Sequence, residues 1–157
     1  MTQNKLFRQS QDHVAIMKPS WGLIKKIITG EKRLETRWYE NKIAPWDNIF
    51  EGDRIYFKDA GGKVRLRAEV GRVWQYVDLN PDKVLKLLIK YARTDGIGSD
   101  EKEIKKFERI FEKKKYMIAI EILNPIKIKP FGISKKGFGI LSGWITVPDI
   151  NMLIKKR

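Results

Sequence analysis

Three side chains that could act together chemically, Lys32, Glu35 and Arg37, fall within residues 30–37 (GEKRLETR). If a helix ends at Gly30, Lys32 lies in the turn, and Glu35 and Arg37 project from the same side of the next strand. The three side chains then converge on one concavity, where a buried carboxylate between two cations either positions them or serves as an acid or base. The same spacing is also typical of an ion pair on a strand surface.

A second cluster occupies residues 129–139 (KPFGISKKGFG) and offers Ser134 and Lys135 as candidate ligand-binding residues. Its glycines allow a backbone to approach a ligand closely, its lysines suit phosphate, and its phenylalanines could stack on an unpaired base. The order of residues in a Walker phosphate loop is missing. The alternative is an exposed loop between strands whose phenylalanines plug the core.

Among the five tryptophans, most of which we expect in the core, Trp21 and Trp38 are candidates for a stacking wall. Lys18, at the end of the first predicted strand, is a further candidate for binding. The lone His13 precedes an apolar strand and is interpreted as a structural or surface residue and not as a catalytic base. No set of His, Asp and Glu has metal-ligand spacing, so we predict no metal and no cofactor.

Alternating and helical patterns predict the elements that position these residues. Proline and glycine signals bound the first helix, and an Asn-Pro pair and an Asp begin two further helices. The predicted strands are 13–18, 34–38, 54–58, 64–77, 116–123, 126–129 and 139–147, and the predicted helices are 19–30, 80–91 and 100–114. This order predicts the α+β class and a small, mostly antiparallel barrel with flanking helices. We expect a single domain over residues 1–157, with a core at about 13–147 and a helical insert at about 80–114.

The charge is strongly unbalanced, with 33 Lys and Arg against 19 Asp and Glu and a formal net charge of +14. More than half of the excess falls in residues 101–157. Such a surplus attracts polyanions, because phosphate binding releases condensed counterions. A heat-adapted composition, rich in Lys, Ile and Glu, would explain many charges but not their imbalance.

The composition also limits the class of protein. Hydrophobic residues make up 42% of the chain and 17 residues are aromatic, enough for a packed core. Cysteine is absent, which excludes disulfides and zinc thiolate sites and predicts a cytoplasmic location. The polar first residues predict no signal peptide, and no apolar run reaches the roughly 20 residues needed to span a bilayer.

Two motifs carry a resemblance to a known family. Gly30-x-Lys32-x-x-Glu35-x-Arg37, after an amphipathic helix, resembles the G-x-K-x-x-E-x-R signature of the ASCH family, and Gly52-Asp53 resembles the turn into its next barrel strand. The similarity runs from about residue 13 to 57 and continues more weakly to about 147. It implies a PUA-like pseudo-barrel, related to EVE domains, whose pocket takes RNA or a modified nucleotide.

The resemblance also implies candidate catalytic residues, because some family members are amidohydrolases that act on N4-acetylcytidine and others are reported as ribonucleases. The amidohydrolase type uses a Lys, a Thr and a Glu. In this chain the lysine falls on Lys32, the threonine position is occupied by Glu35, and the glutamate falls near Asp95. Two of the three residue types therefore differ, and Asp95-Gly96 is also typical of an ordinary turn.

Three functional hypotheses follow. The first is a binding module in which RNA or a nucleotide enters the basic pocket, whose candidate ligand-binding residues are Lys18, Trp21, Lys32, Glu35, Arg37, Trp38, Ser134 and Lys135. The second is a hydrolase that uses the same pocket, with Lys32, Glu35 and Asp95 as catalytic candidates. The third is a protein-interaction adaptor whose charge only keeps it in solution. We infer no obligate protein partner and no membrane contact.

Overall fold

The computed structural model describes residues 8–98, 100–139 and 142–155, which form one mixed sheet and three α-helices. The strands are β1 (Asp12–Met17), β2 (Leu34–Tyr39), β3 (Arg54–Asp59), β4 (Val64–Tyr76), β5 (Tyr116–Phe131) and β6 (Trp144–Val147). The helices are α1 (Leu23–Thr29), α2 (Pro81–Tyr91) and α3 (Glu101–Phe111), with short 3₁₀ turns at Pro19–Trp21 and Ile150–Met152. No helix within these ranges is long and apolar enough to cross a membrane.

The six strands follow the order β2-β5-β4-β3-β1-β6 and curl into a half-barrel. Only the β1–β3 pair is parallel, and the other strand pairs are antiparallel. The predicted α+β class and mostly antiparallel pseudo-barrel are therefore confirmed. Strands β2 and β6 form the two edges of the sheet, and Arg37 of β2 contacts the carbonyl of Gly143 across the gap between them.

The helix termini follow the sequence signals closely, with one exception. Asn80 and Asp100 cap α2 and α3 by accepting hydrogen bonds from the backbone N–H groups of Lys83 and Lys102. The helix predicted at 19–30 is instead divided, because Gly22 adopts a left-handed conformation with φ of 60° between a 3₁₀ turn and α1. Because of this break, Trp21 lies in the 3₁₀ turn and is not part of the apolar stripe of α1.

Two predicted strands differ from the structure. The segments 116–123 and 126–129 are parts of one continuous strand, β5. Asn124, whose φ is 50°, lies in an irregularity where the register with β4 shifts, and this irregularity bends the pairing without ending the strand. The strand predicted at 139–147 is shorter in the structure, where it begins at Trp144. Residues 140 and 141, within that prediction, lie outside the described residues.

Apolar packing occurs in three places. The concave face of the sheet packs on α1, and the helices of the insert cover β2 and β5 through residues such as Leu88 and Phe107. The opposite face of β3 lies under residues 131–153, which contribute Ile133 and Leu153. The site described below lies where the first two groups meet, beside the edge strand β2.

Candidate functional site

A cavity of about 810 Å³ opens between the edge strand β2, the end of β1 and helix α3 of the insert. Most of the predicted site residues line it. The lining includes Lys18, Trp21, Lys26, Lys32, Glu35, Thr36, Arg37, Trp38, Asp95, Glu103, Lys106, Phe107, Phe111, Lys114 and Lys135. Its floor is polar and charged, its wall on α3 is aromatic, and its rim carries lysines.

Lys32 lies at the centre of the floor, with only 1% of its surface exposed. Its ammonium group donates to Asp95 Oδ1 at 2.5 Å and to the backbone carbonyls of Leu34 at 2.6 Å and Asp95 at 2.9 Å. Glu35 Oε1 lies 3.1 Å from the same nitrogen. The buried charge is therefore surrounded by acceptors, as a lysine in a protein interior requires.

The position of Asp95 depends on the turn that follows α2. The carbonyl of Thr94 accepts hydrogen bonds from the backbone N–H groups of Arg33 and Leu34 at 2.7 and 3.0 Å, which ties this turn to the open edge of β2. Gly96 is required there, since its φ is 79° and a Cβ would lie 3.0 Å from Cβ of Lys32. The Asp-Gly pair is thus a turn, and it also places a carboxylate on Lys32.

Thr36 adds a hydroxyl to this group. Its Oγ1 donates to Asp95 Oδ2 at 2.5 Å and accepts a hydrogen bond from the indole of Trp38 at 3.2 Å. Asp95 therefore lies between an ammonium group and a hydroxyl. Thr36 was not among the candidate residues predicted from the sequence, although it stands next to Glu35 in the chain.

Glu35 and Arg37 form the other half of the floor. The guanidinium Nε and Nη2 of Arg37 lie 2.9 and 2.7 Å from Glu35 Oε2. Arg37 also donates to the carbonyls of Ile16 at 3.3 Å and Gly143 at 3.2 Å, and it lies over the ring of Trp144. It therefore connects β2 to β1 and to the start of β6, across the gap between the edges of the half-barrel.

The pKa values of the two carboxylates are shifted in opposite directions. Burial alone would raise the pKa of Glu35, but the charges of Lys32 and Arg37 outweigh burial and lower it. Burial raises the pKa of Asp95 to about 6, with a further contribution from the charge of Glu35, against the opposing effect of Lys32. Burial would lower the pKa of Lys32, but Asp95 and Glu35 outweigh it and raise the pKa, so the amine is held protonated.

An aromatic wall stands opposite this floor. Trp38 stacks on Phe111 with ring centroids 4.9 Å apart, and Trp21 meets Phe107 edge to face at 5.2 Å. The ammonium of Lys18 lies 4.8 Å from the Trp21 ring centre. The two tryptophans were predicted from the sequence, but Phe107 and Phe111 were not, because only the docking of α3 on β2 turns that face of the helix towards the site.

The second sequence cluster is divided between two places. Lys135 lines the cavity and donates to the carbonyl of Ser142 at 3.0 Å. Ser134 lies outside the lining within the described chain. Its backbone N–H donates to the carbonyl of Leu153 at 2.8 Å, and its hydroxyl accepts from the N–H of Lys136.

The Gly52-Asp53 motif organises the opposite end of the barrel. Asp53 accepts hydrogen bonds from Arg8, from His13 and from the backbone N–H groups of Gln11 and Phe50. His13 is fully buried, and its other ring nitrogen lies 2.9 Å from the hydroxyl of Thr146. The histidine is therefore a satisfied core residue, away from the cavity.

No group of three or more His, Asp and Glu residues within the described ranges could hold a metal ion. The charged groups on the cavity floor are instead paired with one another, and the floor contains two cations, Lys32 and Arg37, and two carboxylates, Glu35 and Asp95. The floor is thus close to neutral, whereas the rim carries Lys18, Lys26, Lys106, Lys114 and Lys135 against Glu103. Such a site suits a polar neutral group at the bottom and an anion at the mouth.

The fold is similar to that of crystal structures of ASCH from Zymomonas mobilis. One of them aligns with a TM-score of 0.60 and 18% sequence identity and covers 87% of this chain and 87% of that chain. A point variant of the same protein gives 0.61 and 16% over 90% of this chain and 96% of that chain. No family model matches the chain, and no curated protein matches it either. In fold, the chain is an ASCH-like domain.

Proposed function

We propose that this protein binds RNA, with one nucleotide unit entering the cavity beside β2. The observation that carries the proposal is the division of the cavity into a charge-balanced floor, an aromatic wall and a basic rim. A nucleotide has the matching parts, namely a polar base edge, a flat apolar face and a phosphate. The shared ASCH-like fold and the formal net charge of +14 support the same class of ligand.

The base edge fits the floor formed by Glu35 and Arg37. Both oxygens of Glu35 already accept hydrogen bonds, but an ionised carboxylate has about four acceptor sites, so it can still accept from an exocyclic amine or a hydroxyl. Trp21 and Phe111 are only partly buried and line the cavity, so they offer surfaces on which the flat face of a base can pack. These contacts would provide selectivity, which phosphate contacts do not.

A salt titration with an isosteric variant tests this proposal. Glu35→Gln keeps the shape of the floor and removes one charge, and Glu31→Gln is the matched control because its side chain is 61% exposed outside the floor. Single-stranded RNA, duplex RNA and free modified nucleosides are compared, and each ligand is examined afterwards for chemical change. We expect wild-type affinity to fall steeply with salt and Glu35→Gln to alter the preference among bases. An affinity that is flat between low and moderate salt would contradict RNA binding.

The second candidate function is a hydrolase that uses the same cavity. It is favoured by the hydrogen bond from the hydroxyl of Thr36 to Asp95, whose pKa of about 6 suits proton transfer near neutral pH. Lys32 would then orient Asp95 and stabilise negative charge, since its raised pKa keeps it protonated. Candidate substrates are the amide of a modified nucleobase or an RNA phosphodiester.

Product analysis separates the two functions. In a hydrolase, Thr36→Val and Asp95→Asn each abolish product formation while a nucleoside still binds, and Lys32→Ala, assayed at a temperature at which it is folded, reduces turnover by orders of magnitude. In a pure binder, the ligand is recovered intact from wild type, and Lys32→Ala costs only about 1–3 kcal/mol of binding free energy.

A further inference from the structure

A second group of cations lies next to the cavity, around Lys58. This residue is on β3, and 7% of its surface is exposed. Among the described residues, the charges that act on it are those of Lys135, Lys155 and Asp59. Asp59 also pairs with Arg65, at 3.4 Å, which leaves the group strongly positive.

Backbone pairing explains how Lys58 and Lys135 come together. Lys58 lies opposite Ile16 in the parallel β1–β3 pair, and the N–H of Ile16 donates to the carbonyl of Gly143 at 3.0 Å. The ammonium of Lys135 donates to the carbonyl of Ser142, the residue before Gly143. Lys135 is therefore anchored one strand away from Lys58.

Lys155 reaches the same place from the end of the described chain. Its N–H donates to the carbonyl of Gly132 at 3.0 Å, and Ile133 and Ile154 form an isolated antiparallel bridge. A Cβ added at Gly132 would lie 3.6 Å from Cδ of Lys155, so the lysine stem runs over this glycine. The segment that leads into Lys135 thus carries Lys155 on its side.

The positive charges of Lys135 and Lys155 act against that of Lys58. Burial and the charges of Lys135 and Lys155 lower the pKa of Lys58, and its ammonium group has no hydrogen bond or ion pair with any described residue. The opposition of like charges is unfavourable, and an anion bound among the three lysines would reverse its effect on the pKa of Lys58. A tetrahedral phosphate offers enough oxygens to accept from all three.

We propose that Lys58, Lys135 and Lys155 form a phosphate site for the backbone phosphate that adjoins the nucleotide in the cavity. The site is continuous with the cavity, because Lys135 belongs to both and Ile16 and Ala60 line the cavity beside Lys58. This inference rests on the proposed function and makes it narrower: the ligand is an RNA strand and not a lone nucleoside. A free phosphate shares the chemistry, so the test must separate the two sources.

The test compares Lys58→Met and Lys155→Ala with Lys86→Ala, a control that removes one exposed positive charge from α2. Each protein is titrated with a single-stranded RNA oligonucleotide, the four ribonucleosides and inorganic phosphate at several salt concentrations. We expect each of the two site variants to weaken RNA binding about tenfold and to reduce the salt slope by about 0.7 per lost contact, with nucleoside binding unchanged. Lys58→Met should also raise the melting temperature of the free protein, since it removes a positive charge that Lys135 and Lys155 oppose.

The outcomes distinguish the two proposals. RNA affinity and salt slope that do not change in Lys58→Met and Lys155→Ala overturn the phosphate site alone. Wild type that binds neither RNA nor a nucleoside overturns the function of the cavity. If the variants lose only inorganic phosphate, the assignment to an RNA backbone is wrong. If Lys58→Met lowers the melting temperature, its weaker RNA binding would reflect lost structure. The RNA affinity and salt slope of Lys155→Ala, a substitution at an exposed position, then decide whether the phosphate site exists.

Discussion

The ammonium nitrogen of Lys32 lies 2.5 Å from Oδ1 of Asp95, although 63 residues separate them in the chain. This contact joins the turn before β2 to the turn inside the helical insert. It is buried at both ends, so its two charges depend on each other and on Glu35. The insert is therefore part of the site, because it supplies a carboxylate on the floor and the two phenylalanines of the aromatic wall.

Replacing Lys32 by methionine should destabilise the protein strongly. The substitution leaves Asp95 and Glu35 buried without their shared cation, and breaking a buried pair in this way costs about 3–5 kcal/mol. Denaturant unfolding at neutral pH measures the free energy. The control is Lys26→Met, which loses a hydrogen bond to the carbonyl of Gly96 in the same turn but is 36% exposed, and should cost about 1 kcal/mol. Equal losses in the two variants would show that the pairing of Lys32 contributes little.

Glu35→Gln should lower the pKa of Asp95 from its value of about 6. Burial raises that pKa first, but the negative charge of Glu35 raises it further and also competes for Lys32. With a neutral glutamine, Lys32 acts on Asp95 alone, and the ionised form of Asp95 becomes more favourable. Carboxyl ¹³C chemical shifts followed between pH 3 and 8 report the change.

Glu31→Gln is the control for this titration, since it removes a charge four residues before Glu35 at an exposed position. It should leave the midpoint for Asp95 unchanged. A midpoint that rises or stays constant in Glu35→Gln would mean that the two carboxylates do not share Lys32.

Part of the site could be predicted from the sequence because it is local. Glu35 and Arg37 are two residues apart on a strand, and this alone places them on one face. Gly30 ends α1 with φ of 82°, as its position indicated, and Lys32 therefore lies in the turn between α1 and β2. The lysine and the carboxylates on the floor were therefore accessible from spacing and from the family resemblance.

The rest depends on tertiary packing. Thr36 and Trp38 are two residues apart on β2 and are hydrogen-bonded to each other, but β2 is an edge strand and its open side is reached from the turn at Asp95. No local sequence pattern predicts which turn packs against which edge strand. Likewise, the apolar stripe of α3 predicts burial but not that Phe107 and Phe111 would face a cavity.

Asp53 should make the protein sensitive to acid. Burial opposes its ionised form, but hydrogen bonds from His13 and Arg8 outweigh burial and lower its pKa to about 2. Because the folded value lies below the ordinary value of 3.8, this group contributes stability above about pH 4, and the contribution is lost as pH falls through about 2. The free energy of unfolding of wild type should therefore decline over this range. Asp53→Asn should lower it at pH 7 and make the acid decline smaller.

Asp82→Asn serves as the comparison, since this carboxylate is 73% exposed and pairs only with Lys86 at the surface. Its acid profile should match wild type. A decline in Asp53→Asn as steep as that of wild type would assign the acid sensitivity to other groups, such as Glu35, whose pKa is also lowered.

Gly96→Ala should destabilise the turn more than Gly98→Ala. Both glycines have positive φ, 79° and 87°, so each alanine costs about 1–2 kcal/mol of backbone strain. At Gly98 nothing lies within 4 Å of the added methyl group, whereas at Gly96 it would lie 3.0 Å from Cβ of Lys32. The additional crowding should separate Asp95 from Lys32. Denaturant unfolding of the two variants measures the difference, and the Asp95 carboxyl titration shows whether its midpoint moves only in Gly96→Ala. If both alanines cost the same and the titration is unchanged, the close packing of this turn against Lys32 does not determine where Asp95 lies.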